Sequence, residues 1–387
     1  MKSQRVGIIG GGIVGAALGY NLSLYDHIDV TIFDKDQIGS GTTAKSAGTV
    51  CLFDDSVTHE YWPVRLYGFQ TYCNMEKEEK GSAGFDNTGT LVIATDKEVE
   101  KEIKTGIALA KAAGYHGEYI TDSDRILEIV PDLNTDNILG AGWSKDDGYF
   151  DATMISNTFV RKMKANGGHA MTYTKVEKIN IKNSKVVGVK TNKGDFDLDI
   201  VVDASGPWTR FTGRMVDMEM PIWHTKGEVF FLVPPKKKLS YVFPVLKYPY
   251  FYARREGDNI FACKAHLTMD LNDPMHAGIW DPDTLPRTGG TDDYFLEYIF
   301  ETLEKDIPGL LDSGVASSWL AYRAEPSDFM PIVGETPLDG YMLSVGYGGN
   351  GVIEAPTMGT DMAMYIATGK KTQLLEKFHL ARFNNKS

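Results

Sequence analysis

The chain begins with an apolar run, Val6-Gly7-Ile8-Ile9, that breaks into glycines and resumes as small and apolar positions through Leu18. A short unbroken apolar run marks a strand buried on both faces, and the helix-spaced positions after it pack back onto that strand. The pattern predicts a strand over 5–9, a helix over 12–24 and a second strand over 29–34 that closes on Asp34. Residues 58–80 read as a helix, and its stripe of Tyr61, Val64, Leu66, Tyr67, Phe69 and Tyr72 belongs in a core. A buried strand follows over 90–94, then an amphipathic helix over 98–114 stopped by Gly114. Residues 142–150 read as irregular or strand structure before a helix over 151–166, with Asp151 as its N-cap.

The periodicity then shortens. Strands over 171–176, 186–191 and 196–198, with turns at Asn183-Ser184 and Lys193-Gly194, lead into an apolar strand from Asp199 that ends on Ala204-Ser205-Gly206. Residues 221–320 are β-rich and aromatic, with strands over 229–233, 241–243, 250–254 and 260–264 and a charged helix over 292–306. The chain closes with a strand over 340–345, the turn Gly346-Tyr347-Gly348-Gly349-Asn350-Gly351 and a helix over 355–368 ended by Gly369.

The first unit carries Gly10-x-Gly12-x-x-Gly15, and Asp34 follows 19 residues after Gly15. Strand, glycine turn, helix, second strand and acid in that order form a dinucleotide site. Gly10 allows the tight turn, Gly12 lets a pyrophosphate approach the backbone, and Gly15 lets helix and strand pack closely. The helix N-terminus offers N–H groups and a positive dipole end to the phosphates, and Asp34 accepts from ribose hydroxyls. The segment Gly39-Ser40-Gly41-Thr42-Thr43-Ala44-Lys45-Ser46-Ala47-Gly48 is rich in hydroxyls and backbone donors, which suits a second contact with phosphate or a planar ring. Ala204-Ser205-Gly206 makes another small-residue turn at a strand's carboxyl end, where ligands of open α/β sheets lie. The sheet begun at residue 5 is thus completed at residue 203. The fold class is α/β: a discontinuous Rossmann-like domain of 1–85, 150–220 and 322–387, with an inserted antiparallel-sheet domain of 86–149 and 221–321.

Composition narrows the chemistry. The net charge of -12 over 387 residues argues against nucleic acid, whose binding rests on Lys and Arg that release counterions. Three cysteines, Cys51, Cys73 and Cys263, make no CxxC pair, and the eight histidines stand at no ligand spacing, so no metal is expected. The low, odd cysteine count fits a reducing compartment, and no stretch reaches the length of a membrane span, so a cytoplasmic protein is expected.

The succession of GxGxxG, hydroxyl-rich loop, Val201-Val202-Asp203-Ala204-Ser205-Gly206-Pro207-Trp208, aromatic sheet, Arg323-Ala324-Glu325-Pro326 and Gly346-Tyr347-Gly348-Gly349-Asn350-Gly351-Val352 resembles a known family. It is that of the FAD-dependent amine and amino-acid oxidoreductases, which includes glycine oxidase, D-amino-acid oxidase, monomeric sarcosine oxidase and archaeal L-proline dehydrogenase. The resemblance spans nearly the whole chain and makes the discontinuous domain the FAD-binding one. It implies that Gly10, Gly12 and Gly15, with Ile13 and Val14, hold the pyrophosphate, and that Asp34, with Lys35 beside it, meets the adenosine ribose. Thr42, Thr43 and Ser46 lie along the pyrophosphate and flavin edge, Val176 pairs with adenine through its backbone, and Ala204, Gly206 and Trp208 line the adenosine side. Gly349, Asn350, Gly351 and Val352 approach the pyrimidine end of the ring, where a helix N-terminus stabilises negative charge.

The same resemblance makes Arg323 the carboxylate hook, a task suited to its fork, with an interdomain salt bridge as the alternative. It makes Lys264 the lysine that promotes oxygen reduction. Tyr252 and Arg254 share a strand face at period two, and one of them borders the substrate pocket, the alternative being a core or surface role. Covalent members attach flavin to a cysteine just before the arginine motif. Here that place reads Trp319-Leu320-Ala321-Tyr322, so the FAD is noncovalent. The lysine that binds substrate carboxylate in sarcosine oxidase has an apolar counterpart near Ile353. The expected reaction is oxidation of glycine, sarcosine, proline or a D-amino acid by hydride transfer from Cα to flavin N5, with oxygen, a dye, a quinone or a protein as acceptor. Alternatives are a 2-hydroxy acid or glycerol 3-phosphate dehydrogenase and the flavin subunit of a heteromeric dehydrogenase. Homo- or hetero-oligomers fit either.

Overall fold

The computed structural model describes residues 3–53, 61–235, 244–248, 251–264, 277–286 and 288–383. The strand expected over 241–243 lies outside them, as does Tyr250.

Among the described residues, six strands form one sheet in the order Ile332–Glu335, Tyr341–Val345, Ile200–Asp203, Gln4–Ile9, Ile28–Phe33, His169–Met171. All neighbours are parallel except the edge strand Ile332–Glu335, which runs antiparallel to Tyr341–Val345. Val6, Ile8, Val202 and Leu343 are fully shielded, as strands covered on both faces require. The helix Ile13–Leu22 packs against the last long helix, Gly351–Thr368. That approach depends on Gly359, where a Cβ would stand 3.0 Å from the backbone of Ala17 and Leu18. The helix Ala152–Ala165 starts at Asp151, whose carboxylate accepts from Met154 N at 2.9 Å.

Among the described residues a second sheet has nine strands and is built around the antiparallel pair Ile222–Val233 and Gly314–Pro326. Phe251–Glu256 and Asn259–Lys264 form a hairpin beside it, and Thr90–Ala94 joins through Val245–Lys247. The helix Asp293–Asp306 buries Phe295, Ile299 and Leu303 in the core of this sheet. A small three-stranded sheet, Val176–Lys182, Lys185–Thr191 and Gly194–Asp197, packs Val176, Ile179, Val186 and Val189 against Ile9, Phe33 and Val201 of the parallel sheet without joining its ladder. No described helix is long and apolar enough to cross a membrane.

Three of the departures from expectation have a local cause. The strand expected over 171–176 is two pieces, because Tyr173 adopts a left-handed φ of 52° between His169–Met171 and Val176–Lys182. The last helix starts at Gly351, not 355, although Pro356 lies within it. Proline cannot donate to the carbonyl of Val352, and the Tyr72 hydroxyl donates to that carbonyl instead. The strand Gly314–Pro326 carries too many small and polar residues for a clear period-two pattern. It runs through the expected domain boundary at 321/322 and stays paired with Ile222–Val233 as far as Pro326.

Candidate active site

A cavity of about 860 Å³ lies between the carboxyl ends of the parallel strands and one face of the nine-stranded sheet. At the strand ends the glycines shape it. Gly10 has a φ of 105°, and a Cβ there would fall 2.5 Å from the Ala204 carbonyl oxygen. Gly15 lies under the wall, where a Cβ would meet Gly10 O at 2.0 Å. Gly12 precedes the helix Ile13–Leu22, whose N-terminus has no side-chain cap. Ile13 N donates to Thr43 Oγ1 at 3.1 Å, joining the glycine turn to the hydroxyl-rich loop. The Asp34 carboxylate accepts from Gly11 N at 2.7 Å and Asp36 N at 2.8 Å. Burial pushes its pKa above the ordinary carboxylate value, against the pull of those backbone donors. Val14, Val176, Ala204 and Gly206 complete this end of the wall.

The loop after the second strand is tied to the other sheet. Thr42 Oγ1 donates to Tyr322 O at 3.0 Å, Lys45 Nζ to Leu320 O at 2.7 Å, and Arg254 Nε to Ala47 O at 2.9 Å. Ser46 Oγ accepts from Gly48 N at 3.1 Å and sets the loop's exit.

On the facing sheet, Arg323, Tyr252, Cys263, Gly227 and Val229 line the cavity. The Arg323 guanidinium lies over Gly227, where a Cβ would come within 2.8 Å of Nε, so a side chain there would displace it. Tyr252 and Cys263 are register partners. Burial raises both pKa values, that of the thiol to about 12, although Arg323 pulls each down. Both groups therefore stay protonated near neutral pH. At the third corner, Gly349, Gly351 and Val352 line the cavity at the N-terminus of Gly351–Thr368, which again has no side-chain cap. Asn350 turns its side chain away, with Oδ1 accepting from Arg65 Nη2 at 3.0 Å.

The family model for FAD dependent oxidoreductases matches residues 5–364. The chain belongs to that family. Among similar proteins, 4-methylaminobutanoate oxidase (formaldehyde-forming) of Paenarthrobacter nicotinovorans is 24% identical over 94% of this chain and 44% of its own length. Glycine oxidase of Geobacillus kaustophilus (strain HTA426) is 24% identical over 97% of this chain and 96% of its own. The crystal structure of L-proline dehydrogenase from P. horikoshii superposes with a TM-score of 0.82 at 25% identity, covering 99% and 98% of the two chains. The chain thus spans less than half of the first relative.

This member of the family has a cavity suited to FAD. Its length from Asp34 to Arg323 joins a carboxylate, a side-chain-free glycine turn and an uncapped helix end in one space. The structure leaves Arg254 off the cavity wall. It is buried, 3.9 Å from the Tyr149 ring centroid, with Nε on the Ala47 carbonyl, and so it acts as a tether for the loop. The strand reaches Lys264, whose side chain lies outside the described residues. Lys35 lies on the cavity wall beside Asp34, but its ammonium pairs with Asp283 and sits 4.1 Å over the Trp208 ring.

Several residues at the site of this family member left little or no signal in the sequence. Lys45 lines the cavity half-buried, and burial lowers its pKa. Glu325 lies buried beneath Gly348, where a Cβ would come within 2.3 Å of Oε2. Glu354, inside the last helix, has its pKa raised to about 7 by burial, against Arg65 and Tyr61. Asp283 reaches the wall from beyond the hairpin. Lys45 alone left a trace, as the one cation in the hydroxyl-rich loop.

Proposed function

We propose that this protein oxidises a small amino acid or N-alkyl amino acid at its α-carbon, with Arg323 holding the substrate carboxylate. The observation that carries the reading is the guanidinium laid over Gly227 on the cavity wall beside Tyr252. A planar fork in that position meets a carboxylate through two parallel hydrogen bonds. The relatives named for glycine, L-proline and 4-methylaminobutanoate support a carboxylate-bearing amine as substrate.

Bound FAD supplies a two-electron acceptor for the hydride that leaves Cα. The chain's own groups position and polarise. Arg323 fixes the carboxylate, and Tyr252, held protonated, offers a hydroxyl donor to the bound substrate rather than a base. No base is needed when the amine enters neutral. The uncapped N-terminus of Gly351–Thr368 favours negative charge beside Gly349 and Gly351. The imine product leaves the site and hydrolyses to a 2-oxo acid or an aldehyde. Lys264 is proposed to promote oxygen reduction, and a dye, quinone or protein serves as acceptor otherwise. In this division of labour segments 1–85, 150–220 and 327–387 bind FAD, while 86–149 and 221–326 bind substrate. The FAD is held without a covalent bond.

An anaerobic bleaching panel tests the reading. Glycine, sarcosine, proline, D-amino acids and 2-hydroxy acids are each mixed with the purified holoenzyme, and visible flavin absorbance is followed. Bleaching by one or more of the amino acids is expected; bleaching by hydroxy acids alone overturns it.

A further inference from the structure

A segment of the substrate-facing sheet reaches across to the opposite end of the cavity. Ala277–Gly278 pairs antiparallel with Ile222–Val233 at His224 and Thr225, and the chain then runs through Trp280 to Asp281 and Asp283 on the cavity wall. His224 anchors its start. The ring is fully buried, its Nδ1 accepts from Trp280 N at 2.9 Å, and its Nε2 therefore carries the proton donated to Pro207 O at 2.7 Å. Burial lowers the His224 pKa, which keeps the ring in that neutral form. Pro207 belongs to the turn between Gly206 and Trp208, so one imidazole joins the segment to a turn that lines the cavity.

The far end closes on the same turn. Asp283 Oδ1 accepts from Trp208 Nε1 at 2.8 Å and pairs with the Lys35 ammonium, which itself lies over the Trp208 ring. Burial opposes the charge on Asp283, but Lys35 and the Trp208 N–H outweigh it and hold the carboxyl below its usual range. Lys35 directly follows Asp34, the acid of the dinucleotide fingerprint, so the three side chains meet at the ribose end of the cavity. Both charged groups are partly exposed, with side-chain accessibilities of 29% and 46%.

We infer that Asp283, Lys35 and Trp208 form a clasp over the adenosine half of FAD, so that the substrate-facing sheet itself retains the cofactor. Lys35 acts through Asp283 and not as a phosphate ligand. The clasp rests on FAD as the resident cofactor and is independent of the substrate class, so failure of the bleaching panel leaves it open to test.

The experiment is cofactor release and rebinding in the full chain. Holoenzyme is diluted, and recovery of free-flavin fluorescence gives the release rate for wild type, Asp283→Ala, Lys35→Met and the double variant. A partly exposed ion pair with one further hydrogen bond corresponds to about five- to tenfold faster release in each single variant. The double variant is expected to release no faster than either single one, because each breaks the same clasp. FMN, which lacks the adenosine half, is expected to bind flavin-free wild type and Asp283→Ala alike. Release rates within twofold of wild type overturn the clasp. A double variant whose effect is the product of the two single ones assigns Lys35 to the ligand and overturns it as well. Equal weakening of FAD and FMN reports general loosening and likewise overturns it. Thermal unfolding of each flavin-free variant separates misfolding from these outcomes, and Asp283→Asn, which keeps an acceptor for Trp208 Nε1, is expected to lie between wild type and Asp283→Ala.

Discussion

The Arg254 guanidinium donates from Nε to the carbonyl oxygen of Ala47 at 2.9 Å, across 207 positions of chain. That bond fixes the hydroxyl-rich loop against the sheet that carries Tyr252 and Arg323. Its charge is met by Glu256 and by the faces of Tyr149 and Phe261. Arg254→Leu leaves the Ala47 carbonyl unsatisfied in a buried place and is expected to cost about 1.5–3 kcal/mol, the value of a hydrogen bond to a charged group. Chemical denaturation measures this, and FAD affinity falls with it because Thr43 and Ser46 lose their mount. Unchanged stability would show that the loop is held by its other ties alone.

Arg323→Met tests the carboxylate hook. Truncating one partner of a buried charge pair costs about 2–5 kcal/mol, so kcat/KM for the best substrate of the panel is expected to fall by about two to three orders of magnitude. Arg323→Lys keeps the charge but not the fork and falls between. Flavin absorbance stays in both variants, since Arg323 lies at the end opposite Asp34. Steady-state kinetics that move less than threefold in Arg323→Met rule out the hook.

Gly348 and Gly369 have positive φ values of 52° and 74°, yet their surroundings differ. A Cβ at Gly348 would strike the buried Glu325 carboxylate, whereas at Gly369 nothing lies within 4 Å. Gly369→Ala is expected to cost the backbone strain alone, about 1–2 kcal/mol. Gly348→Ala should cost more and weaken FAD binding, because displacing Glu325 moves the turn that carries Gly349 and Gly351. Equal losses by denaturation would refute the packing argument.

Glu354 gives stability a pH dependence. Its folded pKa of about 7 lies above the ordinary 4.5 of the unfolded chain, so the folded state holds the proton more tightly. The contribution is fully present below pH 4.5, falls as pH rises through 7, and is flat beyond, on the order of 3 kcal/mol in all. Asp147, also raised to about 7 by burial, adds a slope of the same sign. Glu354→Gln is therefore expected to be more stable than wild type at pH 8 and to lose part of the slope between pH 5 and 7, leaving the share of Asp147. Denaturation midpoints across that range decide it; a slope identical to wild type would place Glu354 in its ordinary ionised form.

Gly10, Gly12, Gly15 and Asp34 were readable because a strand–helix–strand unit closes within about thirty residues, and its backbone demands glycine and an acid at set spacings. Arg323 and Gly349-Asn350-Gly351 were readable as motifs, though not as neighbours in space. Tyr252 and Arg254 share a strand face by period two, yet one lines the cavity and the other tethers a loop, because Ala47 happens to arrive beside Arg254. Nothing within reach of either residue in the chain distinguishes them.

The linear pattern thus carried the parallel sheet, its glycine turn and the return of the chain to complete the sheet, since those features are repeated in local periodicity and turn chemistry. The roles of Arg254, Lys35, Asp283, Glu325 and Glu354 emerged only on folding. Lys35 meets Asp283 across 248 positions, and Glu354 owes its raised pKa to burial and to neighbours from distant segments. Charge, burial and hydrogen-bond partners at those places are properties of packed surfaces, which no window of sequence contains.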